Sequence, residues 1–290
     1  MTLLRALVRQ ARPVQWAKNV LVFAAPGAAG VLDSGATVWR VVVAFVAMCL
    51  ASSGTYYWND IHDVEADRRH PTKCHRPIAS GAVSLPLARV IGTLLLVAGV
   101  ATGMAVDVQL GGVVLGYLVL TSLYSTVLKH VAVVDLVAVS AGFVMRAIAG
   151  AVVIDIPLSQ WFLLCTSFGS LFIVTGKRYA ELREMGDTAG STRRSLEDYT
   201  PGFLRIVLSV SVGATLISYC TWAFEHMALT ASSWPFHELS IVPMVTALLR
   251  YTLVLEQGHG SAPEEVFLAD RALQVSGLVW VVLFGLGVYA

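Results

Sequence analysis

Long apolar runs separated by short polar segments recur along the whole chain. A helix that crosses a bilayer needs roughly 20 mostly apolar residues. Nine stretches approach that length, although the first contains Pro26 and the eighth is interrupted by Pro243 and Arg250. The nine stretches are 17–32, 37–58, 86–106, 108–128, 131–154, 156–176, 203–224, 238–255 and 272–290. The pattern predicts an all-α integral membrane protein with nine transmembrane helices, and a single domain over residues 1–290.

Composition excludes the soluble classes. Of 290 residues, 56% are hydrophobic and 13% are charged, whereas a soluble domain has about a quarter charged residues. A water-soluble globule, a disordered chain and a disulfide-stapled secreted domain are therefore not expected. Cys49, Cys165 and Cys220 lie in apolar runs and Cys74 has no CxxC partner, so neither a disulfide nor a metal cluster is predicted.

The placement of basic residues predicts an orientation. When nine helices are threaded alternately, the 20 Lys and Arg residues fall on one side, except Arg40 on the other side and Arg146 within a span. Under the positive-inside rule the basic side is cytoplasmic. The sequence thus predicts a multi-pass membrane protein with its N-terminus in the cytoplasm.

Residues 1–15 have an amphipathic pattern. Arg5, Arg9 and Arg12 recur at helical spacing, with apolar residues on the other side. One interpretation is a helix that lies in the membrane surface with its basic face towards the lipid headgroups. The other is a basic flank that orients the first span.

The second predicted span ends in a group of acidic residues. On a continuing helix Asn59, Asp63 and Asp67 stack at four-residue intervals, with Asp60 beside them. Converging carboxylates repel one another unless a cation lies between them, and oxygen ligands suit Mg²⁺. The alternative is a solvated acidic helix end that the basic residues after it neutralise.

A basic loop follows directly. Lys73 and Arg76 lie close to the acidic group, which suits a phosphorylated substrate because a metal can hold diphosphate oxygens while basic side chains neutralise the rest. Ordinary positive-inside flanking is the alternative for these residues, and it is the preferred interpretation for Arg68 and Arg69.

Arg146 lies inside the fifth predicted span, where a charge costs roughly 2.5–3.5 kcal/mol. Asp135 is three helical turns earlier, so both are expected on one polar face, with Lys129 at its cytoplasmic mouth. The face is predicted to line a substrate cleft, and a structural salt bridge is the alternative.

Two more segments carry polar residues at span ends. Gln15, Lys18 and Asn19 enter the first span, where they either line a cleft or anchor the helix at the interface. Lys177 and Arg178 end the sixth span, where they either bind a lipid phosphate or snorkel to the membrane surface.

Together these motifs resemble the UbiA superfamily of intramembrane prenyltransferases. The resemblance rests on Asn59-Asp60-Ile61-His62-Asp63 at the end of the second span and on the segment from Tyr124 to Lys129. It implies a nine-helix UbiA-type bundle with a cytoplasmic-facing polar cleft. It also implies active-site loops over residues 59–85 and 177–202.

One departure from the motifs of the superfamily indicates which reaction to expect. Members of the superfamily typically carry a second aspartate-rich motif after the sixth helix, but residues 176–182 contain no D-x-x-D. Residues 12–19, 59–67 and 176–181 are instead similar to the phosphoribosyltransferase branch. That similarity implies transfer of a phosphoribosyl group from phosphoribosyl diphosphate to a polyprenyl (decaprenyl) phosphate, for arabinan synthesis in the cell wall.

The resemblance also implies roles for single residues. Asn59 and Asp63, joined by Asp60 and Asp67, would hold Mg²⁺, and Lys177 would bind the lipid phosphate. The donor would contact Lys18, Tyr57, Lys73, Arg76, Lys129 and Arg146. Asp63, Asn59, Lys73 and Arg146 are the predicted catalytic set.

Two other functions are compatible with parts of this pattern. The first keeps the fold but transfers a prenyl group from a prenyl diphosphate to an aromatic or other acceptor. The second is a carrier for a phosphorylated solute. For that function the sequence lacks matching polar residues on the opposite side of the membrane. No nucleic-acid partner is expected, and a homo-oligomer is left open.

Overall fold

A computed structural model describes residues 2–185, 196–227, 234–258, 260 and 262–290 of the chain. Within those ranges the regular secondary structure is helical, without a strand. The α-helices are α1 Leu3–Ala11, α2 Ala24–Ala28, α3 Gly35–His62, α4 Val64–Arg69, α5 Leu85–Val106, α6 Val108–Thr126, α7 Val134–Val152, α8 Gln160–Met185, α9 Pro201–Met227, α10 Phe236–Leu239, α11 Ile241–Glu256, α12 Pro263–Ala269 and α13 Arg271–Tyr289. Three 3₁₀ helices, Pro13–Phe23, Lys73–His75 and Leu128–His130, lie between them. The predicted all-α class is confirmed.

Seven segments in the described ranges are long and apolar enough to cross a membrane. They are Gly35–His62, Leu85–Val106, Val108–Thr126, Val134–Val152, Pro201–Glu225, Phe236–Glu256 and Arg271–Tyr289. The predicted count of nine is not confirmed. The first predicted span is a 3₁₀ helix followed by the five-residue α2, and α8 interleaves polar residues such as Thr166, Ser167 and Ser170 with its apolar ones.

Side-chain caps explain two sharp boundaries. Asp107 leaves the helical conformation after α5, and its Oδ1 accepts from the amides of Gln109 at 2.7 Å and Leu110 at 3.3 Å. Asp270 likewise accepts from the amide of Leu273 at 3.0 Å where α13 begins. These carboxylates satisfy amides that a helix start leaves without partners.

The described chain falls into two compact units. Residues 1–126 and 145–157 form the first, in which α3 packs along α5 and on the 3₁₀ helix Pro13–Phe23. Small residues permit the close approach of these backbones: a Cβ on Gly99 would lie 2.9 Å from the amide nitrogen of Ala51. A Cβ on Gly150 would lie 1.7 Å from the carbonyl oxygen of Val22, so Gly150 admits no larger residue.

Residues 127–144 and 158–290 form the second unit, in which α8 packs along α9 and α11 along α13. Its core includes Phe172 and Tyr251, whose rings meet edge to face at 5.6 Å, together with Leu204 and Leu255. Such aromatic pairs stabilise beyond the area they bury. Tyr179 and Ala180, which follow Lys177 and Arg178 in α8, belong to the same core.

Candidate functional site

The end of α3 carries the predicted metal ligands of the first unit. The helix stops at Asp63, whose amide still donates to the carbonyl oxygen of Asn59 at 2.9 Å, and α4 starts at the next residue. One helical turn therefore separates Asn59 from Asp63, which puts them on the same face. Both residues are half-buried. They offer a carboxamide oxygen and a carboxylate oxygen at the end of α3.

Asp60 is the centre of a buried hydrogen-bonded network. Its side chain is 4% exposed, and Arg12 Nη2 donates to Oδ1 at 2.6 Å and to Oδ2 at 2.7 Å. Gln10 Nε2 donates to Oδ2 at 2.7 Å, and Arg76 Nη1 to Oδ1 at 3.0 Å. Each carboxylate oxygen thus accepts two hydrogen bonds, which matches its lone-pair capacity.

Asp67 belongs to the same network. Its Oδ2 accepts from Arg76 Nη1 at 2.7 Å, so that one guanidinium joins Asp67 to Asp60. Arg76 therefore holds Asp60 and Asp67 near each other, but the described residues hold no group of three acidic, His or Cys side chains arranged for a metal ion. The sequence predicts four converging ligands, and the geometry differs from that prediction. Arg12 and Arg76 neutralise Asp60 directly, and Arg76 also neutralises Asp67.

The other residues of the first unit that are predicted to contact phosphoribosyl diphosphate lie in several elements. The Tyr57 hydroxyl donates to the carbonyl oxygen of Leu7 at 2.8 Å, which ties α1 to α3. Lys18 and Lys73 are both half-buried, Lys18 in the 3₁₀ helix Pro13–Phe23 and Lys73 in the short 3₁₀ helix of the basic loop. Arg76, in contrast, has its guanidinium in the network around Asp60.

Arg146 is buried within the first unit. Its Nε donates to Oδ1 of Asn19 at 2.7 Å and its Nη2 to the hydroxyl of Tyr117 at 2.9 Å. Its guanidinium carbon also lies 4.7 Å from the centre of the Tyr117 ring. Asn19 is fixed in turn, since its Nδ2 donates to Cys49 Sγ at 3.1 Å and to Ser52 Oγ at 3.3 Å. These contacts hold a charge deep inside a span, where it is otherwise costly.

Asp135, which the sequence placed on the face of Arg146, interacts with other residues of the second unit. Its side chain is fully buried, and its Oδ2 accepts from Arg178 Nε at 3.3 Å. Its Oδ1 accepts a short hydrogen bond from the hydroxyl of Tyr199, which also accepts from the amide of Val133 at 2.6 Å. Burial, reinforced by the hydrogen bond to Asp135, raises the pKa of Tyr199 well above its usual range.

Arg178 is not an interfacial anchor. Its side chain is 4% exposed, and its Nη1 donates to Oε2 of Glu181 at 2.7 Å while its Nε faces Asp135. A buried guanidinium needs such partners because desolvation of an unpaired charge is costly. The snorkelling interpretation is therefore wrong for Arg178. Its neighbour Lys177 is 43% exposed, with Nζ 3.9 Å from Oε1 of Glu181.

The remaining predictions for the second unit concern Lys129 and the loop 177–202. Lys129 is half-buried in the 3₁₀ helix Leu128–His130. The predicted loop begins later than expected, because α8 continues to Met185. Pairs three and four residues apart, Arg178 with Glu181 and Lys177 with Glu181, stabilise that extension. Residues 186–195 of the predicted loop lie outside the described residues.

Sequence reasoning missed three participants. Gln10 donates a hydrogen bond to Asp60, and Tyr199 donates one to Asp135. The hydroxyl of Tyr117 accepts a hydrogen bond from Arg146. Gln10 is the one with a signal, since it is a polar residue beside Ala6 on an otherwise apolar side of α1. Tyr117 and Tyr199 follow no pattern that separates them from interfacial tyrosines.

These features define a multi-pass helical membrane protein with buried polar networks at and within its spans. The sequence profile of the UbiA prenyltransferase family matches residues 20–284. The chain belongs to the UbiA prenyltransferase family, as its motifs predicted. In solved structures, a UbiA homolog from Archaeoglobus fulgidus bound to DMAPP and Mg²⁺ has the same fold, with a TM-score of 0.73 at 16% identity, over 97% of this chain and 98% of that one.

Curated relatives are similar over nearly the whole chain. The decaprenyl-phosphate phosphoribosyltransferase of Mycolicibacterium smegmatis is 43% identical over 297 residues, which cover 99% of this chain and 93% of the relative. The decaprenyl-phosphate phosphoribosyltransferase of Corynebacterium glutamicum is 42% identical over 287 residues, which cover 98% of this chain and 86% of the relative.

Proposed function

We propose that this protein transfers the 5-phosphoribosyl group of phosphoribosyl diphosphate to a polyprenyl phosphate such as decaprenyl phosphate, with release of pyrophosphate. The observation that carries the proposal is the likeness, at about 43% identity over nearly all of both chains, to enzymes named for this reaction. Positions 177 and 178 of α8 support it, because a half-exposed lysine and a buried arginine, rather than an aspartate-rich motif, follow Gly176 there.

Asn59 and Asp63 are the residues proposed to hold Mg²⁺. A half-buried carboxamide and carboxylate one turn apart fit an ion that prefers oxygen ligands, keeps several waters and shares phosphate oxygens with its substrate. Asp60 and Asp67 fit less well, since arginines already engage their oxygens. When bound, Mg²⁺ would neutralise charge on the diphosphate of the donor.

The chemistry proposed is a displacement at the anomeric carbon of the ribose. An oxygen of the lipid phosphate forms a bond to that carbon, while the bond to the diphosphate breaks and its electron pair leaves with pyrophosphate. A phosphate oxygen is ionised at neutral pH, so no general base is required. The protein contributes by positioning both substrates and by stabilising the charge that develops on the leaving group.

Basic residues of each unit have separate proposed roles. In the first unit Lys18 and Lys73 would bind the phosphates of the donor, with Tyr57, Arg76 and Arg146 shaping its surroundings through the contacts described above. In the second unit Lys177 would bind the headgroup of the lipid phosphate, and Lys129 keeps its predicted role of contacting the donor. Phosphate oxygens accept strong hydrogen bonds from such cations.

The orientation and the full span count are part of the proposal. With Pro13–Ala28 and α8 counted as spans, nine helices would leave the N-terminus and the end of α3 in the cytoplasm, where phosphoribosyl diphosphate is available. The charge distribution supports this arrangement. Labelling of single cysteines in intact cells would test it: Ser80→Cys in the basic loop should react only after permeabilisation, and Asp33→Cys should react from outside.

The experiment that tests the reaction uses purified protein, Mg²⁺, a polyprenyl monophosphate and phosphoribosyl diphosphate labelled in the ribose. Label should enter the organic phase, and chelation of Mg²⁺ or Asp63→Ala should abolish this. Asp33→Ala, which removes an exposed carboxylate before α3, is the matched control and should retain activity. Consumption of a prenyl diphosphate with an aromatic acceptor, without transfer of label, would overturn the assignment in favour of prenyl transfer.

A further inference from the structure

The N-terminal helix α1 has one side against the protein and another side exposed. Ala6 and Gln10 are each 1% exposed, and they face α3. The carbonyl oxygen of Leu7 accepts from the Tyr57 hydroxyl. On the outer side, Leu4 is 72% and Val8 52% exposed. A nine-residue helix that is already fixed to the protein thus leaves three large apolar side chains exposed, Leu3, Leu4 and Val8.

Exposed arginines run beside these apolar side chains. Leu4 and Val8 are one turn apart, and so are Arg5 and Arg9, which are also exposed. Residues four apart stack on a helix surface, so the two pairs form adjacent apolar and basic strips. The sequence of α1 contains no acidic residue. Apolar side chains beside unopposed arginines complement a membrane surface in which anionic headgroups lie above acyl chains.

The inner side of α1 leads directly to the end of α3. Gln10 and Arg12 both donate to Asp60, which is adjacent to Asn59. Arg12 follows the last residue of α1 and takes a left-handed conformation with φ of 53°, a strained arrangement that its contacts with Asp60 help to hold. An interaction that fixes α1 therefore also fixes the carboxylate of Asp60, which lies beside the proposed Mg²⁺ ligands.

We propose that the face of α1 formed by Leu4, Arg5, Val8 and Arg9 binds the anionic phospholipid surface of the membrane, and that this binding holds Gln10 and Arg12 on Asp60. Anionic lipid in the leaflet that contacts α1 then acts as a positioning ligand for the end of α3. The docking stands on the geometry of α1 alone. Its effect on transfer rests on the proposed function.

Hydrogen exchange measured by mass spectrometry tests the docking. The full chain is placed in bilayer discs of phosphatidylcholine, or of phosphatidylcholine with about 30 mol % phosphatidylglycerol. Exchange of the amides from Leu4 to Ala11 should slow on the order of tenfold in the anionic discs, because each arginine near such a surface strengthens binding severalfold. Arg5→Gln with Arg9→Gln should remove that slowing.

A charge-matched control separates this effect from a general loss of positive charge. Arg69→Gln with Arg89→Gln also removes two exposed arginines of the same unit, and it should keep the lipid-dependent protection of α1. Equal exchange in both kinds of disc, or protection that persists in the Arg5→Gln, Arg9→Gln variant, would overturn the proposal. So would protection that follows protein concentration rather than lipid charge, since a second copy would then cover the face.

Transfer assays in the same discs test the coupling. Wild-type and control protein should transfer phosphoribosyl groups several times faster in anionic discs, whereas the Arg5→Gln, Arg9→Gln variant should show the same rate in both. The two proposals fail in different ways. Lipid-dependent hydrogen exchange of α1 without any transfer would contradict the proposed function. Transfer without lipid-dependent hydrogen exchange would contradict the docking of α1.

Discussion

Arg146 and Asn19 meet across 127 residues of sequence, with Nε of the arginine 2.7 Å from Oδ1 of the asparagine. Both side chains are buried, so the hydrogen bond is made to a charged group away from water. Hydrogen bonds of that kind are worth about 1.5–3 kcal/mol. The contact joins the 3₁₀ helix Pro13–Phe23 to α7 within the first unit, at the level where Gly150 meets Val22.

Asn19→Leu should therefore destabilise the folded protein by about 2 kcal/mol, because it leaves a buried guanidinium without one of its acceptors. Thermal unfolding of the purified protein in detergent would measure this. Gln109→Leu likewise replaces a carboxamide side chain by leucine, but at an exposed position, and it should leave the midpoint unchanged. An equal midpoint for both variants would show that Asn19 does not stabilise Arg146.

The sequence predicted where polar residues interrupt apolar spans, but not how they pair. Apolar periodicity identified the positions of α3, α5, α6, α7, α9 and α13 within a few residues. It also identified Asn59, Asp63 and Arg146 as unusual, since charge in or at a span is costly. Partners such as Gln10 for Asp60 were not predictable, because 50 residues separate them and pairing at that distance depends on how helices pack.

The network around Asp60 predicts an order of stability effects. Asp60 accepts from Gln10, Arg12 and Arg76, whereas Asp67 accepts from Arg76. Breaking a buried ion pair by removing one partner costs about 3–5 kcal/mol. Asp60→Asn should therefore lower the unfolding midpoint more than Asp67→Asn, when both are measured in the same detergent.

Glu65→Gln serves as the reference for these two variants, because Glu65 pairs with Arg68 at the surface, where ion pairs contribute little. It should unfold like the wild type. A larger loss for Asp67→Asn than for Asp60→Asn would contradict the assignment of Asp60 as the centre of the network.

The proposed division between Asp63 as a metal ligand and Asp60 as an ion-pair partner predicts different dependences on Mg²⁺. Asp63→Asn should lower transfer on the order of 100-fold and raise the Mg²⁺ concentration for half-maximal activity, since it weakens a direct ligand. Its unfolding midpoint should stay close to that of the wild type. Titration of Mg²⁺ in the transfer assay would measure the first effect.

Asp60→Gln provides the contrast for the Mg²⁺ titration. It should unfold more easily but require the same Mg²⁺ concentration in the fraction that remains folded. If Asp60→Gln raised the Mg²⁺ requirement as much as Asp63→Asn, Asp60 would be a metal ligand and the arginines would release it when the ion binds.

Lys177 and Arg178 are adjacent in sequence and should nevertheless respond in opposite ways. Lys177 is half-exposed within α8, and in the proposed function it binds the headgroup of the lipid phosphate. Lys177→Gln should raise KM for polyprenyl phosphate about tenfold, the value of one charge-assisted contact. It should leave KM for phosphoribosyl diphosphate and the unfolding midpoint unchanged.

Arg178→Gln should instead unfold at a lower temperature, because it leaves Asp135 buried beside Tyr199 with one of its charge partners removed. Its folded fraction should keep the wild-type KM for the lipid. Kinetics with each substrate varied in turn, combined with thermal unfolding, distinguish the two. A raised KM for phosphoribosyl diphosphate in Lys177→Gln would show that Lys177 binds the donor rather than the lipid. A raised KM for the lipid in Arg178→Gln would mean that the buried ion pair opens to bind the lipid phosphate.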